Sequence, residues 1–162
     1  MGIKYKVGCL IEAAKSGEVD IIAHQANCQN TMNSGIAPLI RESFPEAWEA
    51  DCKMHKGNPL GYLGKVSWGY EGDLIVFNLY GQDRYGKGVH TNYTALRSAL
   101  YGMEGCLWGY TGGKIGLPKL GAGHGGGDWR VIETIIIEEL CSYDRDVTIY
   151  VLTESEIPQW RR

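Results

Sequence analysis

The sequence predicts an α/β fold, a parallel or mixed sheet covered by helices on both faces. Three observations carry that expectation. Apolar runs of strand length alternate with runs of helical period along the chain. The run at 20–26 reads as a buried strand, and the run at 73–80 as a strong one. Two unusual loops, Asn27 to Ser34 and Lys119 to Gly127, each follow a strand and precede a helix. Ligands of such sheets sit beyond the C-terminal ends of the strands, so these loops are expected to meet at one edge.

The elements follow in order. Ile3-Lys4-Tyr5-Lys6-Val7 alternates and predicts a first strand. Asp20 to Ala26 predicts a buried second strand. Gly35 to Phe44 predicts a short helix, and Pro45 opens another, since proline suits a first helical turn. Lys65 to Trp68 is a strand of weaker pattern. Asp73 to Tyr80 is a stronger one, centred on Leu74-Ile75-Val76-Phe77. Asn92 to Met103 is helical, with Leu96, Leu100 and Met103 on one face. Lys114 to Leu117 is a short strand. Asp128 is a good N-cap for a helix running to about Cys141. The run Ile135-Ile136-Ile137 would also suit a strand, but Trp129, Ile132, Ile136 and Leu140 fit helical spacing better. Val147 to Leu152 is the last strand. No repeat and no internal domain boundary is visible.

Composition bounds the function. The chain has 162 residues, 44% hydrophobic and 22% charged, which suits a globular protein with a real core. A formal net charge of −3 argues against binding to DNA, RNA or anionic lipid through clustered Lys and Arg. It leaves room for a small anionic ligand, because backbone N–H groups hold phosphate without a basic surface. No signal peptide and no stretch of about 20 apolar residues is present, so no membrane partner is expected. Cys9, Cys28, Cys52, Cys106 and Cys141 are scattered, with neither disulfide nor zinc spacing. A reducing cytoplasm is the expected compartment. No His/Cys/Asp cluster has metal spacing, and no metal or cofactor is expected.

Glycine is the unusual residue, at 23 in 162. The second loop, Leu117-Pro118-Lys119-Leu120-Gly121-Ala122-Gly123-His124-Gly125-Gly126-Gly127-Asp128-Trp129, has five glycines in the seven positions from Gly121. Glycine admits close backbone approach and positive φ. Successive N–H groups then form a nest for a diphosphate, with the Asp128 helix behind it. Gly121 to Gly126 also fits G-x-G-x-x-G, but only one helix and one strand follow. A dinucleotide-binding unit needs further βαβ units, so a nicotinamide-dependent dehydrogenase is rejected. The first loop, His24-Gln25-Ala26-Asn27-Cys28-Gln29-Asn30-Thr31-Met32-Asn33-Ser34-Gly35-Ile36-Ala37, puts amides at a strand end, where they read sugar hydroxyls. The N–H groups at Gly35 to Ala37 open a helix and face an anion. A capped, Asn-rich turn with no ligand is the plain alternative.

Together these stretches resemble the macrodomain family. The branch is the one that includes the terminal ADP-ribose protein glycohydrolases and the ADP-ribose 1″-phosphate phosphatases, with similar small proteins of bacteria and phages. The resemblance runs nearly end to end, from Tyr5-Lys6-Val7-Gly8 through Val147-Thr148-Ile149-Tyr150-Val151-Leu152. Its specific parts are His24 to Ala37, Asn78-Leu79-Tyr80-Gly81-Gln82-Asp83, and Pro118 to Trp129. It implies a single macrodomain over 1–162, with a three-layer α/β/α fold and a mixed, mostly parallel six-stranded sheet. It implies a ligand along the strand ends, ADP-ribose or ADP-ribose 1″-phosphate. The adenine would sit near Leu10 and Ile11, against Tyr150 and Leu152. The diphosphate would lie between Gly35-Ile36-Ala37 and the loop Gly121, Ala122, Gly123, His124, Gly125 and Gly126. The distal ribose would approach Asn27.

The sequence also departs from the family. Gly8-Cys9 stands where many macrodomains have Gly-Asp, and a thiol is a poor acceptor for the adenine amino group. Gly81 and Gln82 stand where the terminal ADP-ribose protein glycohydrolases carry the attacking lysine. Gly125 stands at their catalytic Asp. That activity is therefore not carried over. His24 matches a histidine of the phosphatase branch and suits proton transfer. Asp83 is a candidate second acid–base group. As alternatives, His24 is a strand histidine bonded to backbone, and Asp83 a turn residue paired with Arg84. The expectation is a monomeric phosphatase of ADP-ribose 1″-phosphate. A binding module for free or protein-linked ADP-ribose, or a hydrolase of ADP-ribosylated protein, is the alternative.

Overall fold

A computed structural model describes residues 2–162. The elements in chain order are β1 (Ile3–Val7), α1 (Leu10–Lys15), β2 (Ile21–Gln25), α2 (Ala37–Ser43), α3 (Pro45–Gly57), β3 (Val66–Glu71), β4 (Leu74–Leu79), α4 (Tyr93–Cys106), β5 (Lys114–Leu117), α5 (Trp129–Glu139) and β6 (Asp146–Val151). They form one six-stranded sheet in the order β1-β6-β5-β2-β4-β3. Every pairing is parallel except β3 with β4, which is antiparallel. This is the three-layer α/β/α sandwich, with the mixed, mostly parallel six-stranded sheet, that the resemblance implies.

Period-two alternation sends successive strand residues to opposite faces. Ile22 and Val76 pack with Leu10, Ile11, Ile40 and Tyr150 under α1, α2 and α3. Ala23 and Phe77 pack with Leu96, Leu100, Ile132 and Ile136 under α4 and α5. The central strands β2 and β4 are buried on both faces, so their runs are continuously apolar.

Three differences from the expected elements have physical causes. Helix α1 carries no start signal: its N-cap, Cys9, makes no side-chain cap bond, and its length is six residues. Strand β3 continues past Gly69 to Glu71. A Cβ at Gly69 would lie 2.5 Å from the Glu46 carbonyl carbon, so glycine there lets the start of α3 lie on the strand. Helix α2 starts at Ala37, not Gly35, because Gly35 has φ +61 and belongs to the loop.

The isoleucine run is helical: Ile132, Ile135 and Ile136 are buried in α5, and Asp128 caps its N-terminus by accepting from the Arg130 N–H. After α5 the chain makes a 3-10 turn at Cys141–Tyr143. The C-terminal tail is tied down, with Trp160 Nε1 and the Arg161 guanidinium donating to the buried Glu133 carboxylate on α5. Among the described residues no helix is long and apolar enough to cross a membrane.

Candidate functional site

Strands β2 and β5 are neighbours, and both end at the same edge of the sheet. The chain leaves β2 into one loop and β5 into the other, and a cleft opens between them.

The first wall runs from Asn27 to Ala37. Asn27 folds its own loop: its Oδ1 accepts from the Gln29 N–H at 2.8 Å, and its Nδ2 donates to Thr31 Oγ1 at 2.9 Å. Asn30 and Met32 have positive φ, 56° and 46°, a conformation that non-glycine residues rarely adopt outside constrained sites. Asn30 is held there by a 2.9 Å bond from its Nδ2 to Asp51 Oδ2 on α3. The N–H groups of Gly35 and Ile36 donate to no protein acceptor among the described residues. Cys28 lies in this loop, but burial pushes its thiol up to about 11, which leaves it protonated and unreactive.

The second wall is the glycine loop. Gly121 and Gly126 carry its positive φ values, +76 and +70, where the chain reverses. Thr91, just before α4, holds the loop from behind. Its hydroxyl donates to the Gly121 carbonyl at 2.7 Å, and its N–H to the Gly125 carbonyl at 3.0 Å. The Gly127 N–H closes the loop onto the Gly121 carbonyl at 2.8 Å. The N–H groups of Gly121, Gly123, His124 and Gly125 donate to no protein acceptor among the described residues. His124 reaches across towards the first wall, its Cδ2 3.5 Å from where a Cβ on Gly35 would stand. Unpaired N–H groups thus edge the cleft on both sides, an arrangement suited to a polyanion.

The floor is the end of β2. Gln25 faces the α4–α5 side, and its Nε2 donates to Gln82 Oε1 at 2.8 Å and Thr91 Oγ1 at 2.9 Å. His24 faces the α3 side, fully buried, with its Nε2 2.7 Å from Asn78 Oδ1. Burial pushes its imidazole below the ordinary histidine value, against smaller opposing effects of Asn78 and Asp51.

Of the residues read from the sequence, His24, Asn27, Gly35, Ile36 and Ala37 line the cleft from one side. Gly121, Gly123, His124 and Gly125 line it from the other. Gly126 lies in an adjoining groove behind His124. Asp83 is apart from this lining: its carboxylate is exposed, 3.7 Å from Arg84 Nε, and its backbone carbonyl accepts from the Cys28 N–H. Leu10, Ile11 and Tyr150 are together in the core, and Tyr150 donates its hydroxyl to Glu18 Oε2. Leu152 is exposed just past β6. Sequence reasoning missed Asp51 in the lining and Thr91 behind it, and it placed Gln25 and Gln82 in its motifs without giving either a role of its own. An aspartate inside a helix and a threonine before one carry no local signal, since their role depends on loops distant in the chain.

No family model matches the chain. Over 145 residues it is 33% identical to an uncharacterized 17.5 kDa protein from the tk-vs intergenic region of Enterobacteria phage T4, covering 84% of this chain and 88% of that protein. Over 55 residues it is 36% identical to the ADP-ribose 1″-phosphate phosphatase of Meyerozyma guilliermondii, 32% of this chain and 31% of the enzyme. Among solved structures, a protein of unknown function from Bacteroides thetaiotaomicron superposes with a TM-score of 0.81 at 25% identity, covering 93% and 98% of the two chains. A macrodomain protein from Streptomyces coelicolor gives 0.75 at 25% identity, covering 92% and 98%. Thermosipho africanus DarTG, solved in complex with ADP-ribose, gives 0.77 at 16% identity over 99% of this chain and 44% of that one.

Proposed function

Because the chain belongs to the macrodomain family, we propose that it binds ADP-ribose, and that it acts as a phosphatase on ADP-ribose 1″-phosphate. The observation that carries this reading is the pair of facing backbone edges, Gly35 and Ile36 on one side and Gly121, Gly123, His124 and Gly125 on the other, whose N–H groups donate to no protein acceptor among the described residues, while the Ala122 N–H is already held by the Lys119 carbonyl. A diphosphate between them completes both sets of donors at once. In this reading the distal ribose lies over Asn27 and the floor of β2. The adenine points the other way, past Ile36 towards Leu10, Ile11, Tyr150 and Leu152. Leu10, Ile11 and Tyr150 then support the base from beneath rather than stacking on it, because they are buried, and the exposed Leu152 borders it.

In the proposed reaction a water attacks the terminal phosphorus, the bond to the sugar oxygen breaks, and phosphate and ADP-ribose leave. The loop N–H groups stabilise the charge that builds on the phosphoryl oxygens. His24, the histidine on the floor, takes the proton of the attacking water, and the sugar oxygen leaves protonated by solvent, which restores the proton balance once His24 releases its proton. Asp83 is the second proposed acid–base group, and because it lies outside the cleft lining, Asp83→Asn is expected to slow turnover less than His24→Ala. The protein is proposed to work as a monomer in the cytoplasm, where its five free cysteines stay reduced.

The test has two parts. Calorimetry should detect ADP-ribose, with AMP weaker because it lacks the distal ribose. Incubation with ADP-ribose 1″-phosphate and with ADP-ribosylated protein should release inorganic phosphate from the first. No ADP-ribose binding at millimolar concentration would falsify the central reading. Binding without phosphate release would reduce the protein to a binding module, and ADP-ribose release from the protein substrate would make it an adduct hydrolase.

A further inference from the structure

We propose that His24 meets its ligand as a hydrogen-bond acceptor through Nδ1, taking a proton or a hydrogen bond from an O–H group, and that Asn78 is the positioning residue that makes it so. The inference rests on the reading of the cleft as a site for a sugar diphosphate, and it deepens that reading at one atom.

The Ala47 backbone carbonyl can only accept a hydrogen bond. Asn78 Nδ2 lies 2.9 Å from the Ala47 backbone oxygen, so that end of the amide must be the NH2. The same Nδ2 donates to Ser67 Oγ at 3.0 Å. The other end, Oδ1, therefore faces His24 Nε2 at 2.7 Å. An amide oxygen has no proton to give, so Nε2 carries the hydrogen. A neutral imidazole has one N–H, which leaves Nδ1 as a bare lone pair. The neutral form is the relevant one, because His24 is fully buried on a strand.

The amide cannot easily turn over, because a chain of bonds behind it runs in one direction. Ser67 Oγ accepts from Asn78 and gives its proton to Tyr80 OH at 2.8 Å. Tyr80 donates in turn to Asp51 Oδ1 at 2.7 Å. Asp51 takes a further bond from Asn30, in the loop that forms the first wall. Asn78, Ser67, Tyr80 and Asp51 are all buried. Asp51, with Tyr80 beside it, is the acidic group of this network, and it also lines the cleft.

His24 Nδ1 is buried and has no hydrogen-bond partner among the described residues, although His24 lines the cleft. A buried acceptor left unpaired is unfavourable, and a ligand that supplies a donor relieves it. Phosphate oxygens bear lone pairs of their own and would be repelled. The matching group is an O–H donor: a hydroxyl of the distal sugar, or a water held beside it.

The first experiment needs no ligand. Two-bond proton–nitrogen correlation in protein with 15N-labelled histidine reads which ring nitrogen of His24 is protonated. At pH 7 the expected pattern is protonated Nε2 and bare Nδ1. Asn78→Asp puts a carboxylate against Nε2, so the ring should become doubly protonated and ADP-ribose affinity should fall about tenfold. Should that variant not fold, a second pair decides. His24→Asn places a carbonyl oxygen near the position of Nδ1, whereas His24→Leu removes the acceptor. His24→Asn is expected to hold affinity within about threefold, and His24→Leu to lose about tenfold. If affinity survives in His24→Leu but phosphate release is lost, the donor is the attacking water, and the acceptor role stands. A protonated Nδ1 in the free wild-type protein overturns the proposal. So does a His24→Leu protein that matches wild type in both affinity and turnover. Failure of the wild type to bind ADP-ribose would sink the functional reading alone, since the tautomer is measured without ligand.

Discussion

Gly123 and Gly125 stand two residues apart in the same loop, yet the structure predicts opposite outcomes when each gains a side chain. A Cβ on Gly125 would collide with Thr91 Oγ1, and it would lie 2.8 Å from the Gly121 carbonyl oxygen and 2.9 Å from Gln25 Nε2. Thr91 would have to turn away, losing its bond to the Gly121 carbonyl and the one it accepts from Gln25. Each is worth about 1 kcal/mol net, and displaced packing adds about 1–2 kcal/mol. Gly125→Ala should therefore destabilise the protein by about 3–4 kcal/mol. At about 2–4 °C per kcal/mol for a domain of this size, Tm should fall by roughly 6–16 °C. A Cβ on Gly123 meets nothing within 4 Å among the described residues, and its φ lies outside the left-handed region. Gly123→Ala should leave Tm unchanged or raise it slightly, by restricting the unfolded chain. Gly123→Val should melt normally, yet bind ADP-ribose at least about tenfold more weakly, because its branches extend into space the diphosphate needs. Thermal melts and calorimetric titrations on the three variants decide the matter. A Gly125→Ala protein melting with the wild type would refute Thr91 as the anchor of the loop. A Gly123→Val protein with wild-type affinity would show that the diphosphate lies elsewhere.

Three further outcomes are expected. Gly69→Ala should cost about 3 kcal/mol, read by denaturant unfolding, because its Cβ meets the backbone of Glu46 and Ala47 at 2.5–2.8 Å, which cannot swing aside as a side chain can. Asn27→Ala should lower ADP-ribose affinity and any phosphate release about tenfold, since it removes a cleft-lining amide and the bonds that shape the Asn27–Thr31 turn. The last concerns Glu133: burial alone would raise its carboxyl, but bonds from Arg161, Tyr5 and Trp160 hold it below the ordinary range. A carboxylate depressed in the folded state stabilises above its unfolded pKa, and that contribution is lost as pH falls through the folded value. Arg161→Met should then cost about 1–2 kcal/mol at pH 7, a partly exposed partner being worth less than a buried one. The deficit should shrink by pH 3, and equal deficits in melts at the two pH values would remove Glu133 from the account.

The chain's own letters determined the fold class and the location of the cleft. Period-two and period-3.6 patterns are set by local backbone geometry, so β1 and β5 were readable to the residue, and Asp128 to its capping bond. The glycine loop was legible because glycine is the residue that admits such backbone, and the amide-rich loop because of its position after a buried strand. Which glycine did which task was not legible. Positive φ falls at Gly121 and Gly126, while Gly125 is glycine because Thr91, 34 positions earlier, passes close behind it. Helix α1 was missed because its six residues are held by the core and not by a cap. Tyr150 looked like a platform for an aromatic base, and packing against Gly116, Leu10 and Val19 made it part of the core. The tautomer of His24 lay furthest from the sequence. It is decided by a carbonyl at Ala47 acting through Asn78, and hydrogen-bond direction between segments so far apart in the chain exists only once the sheet and α3 have come together.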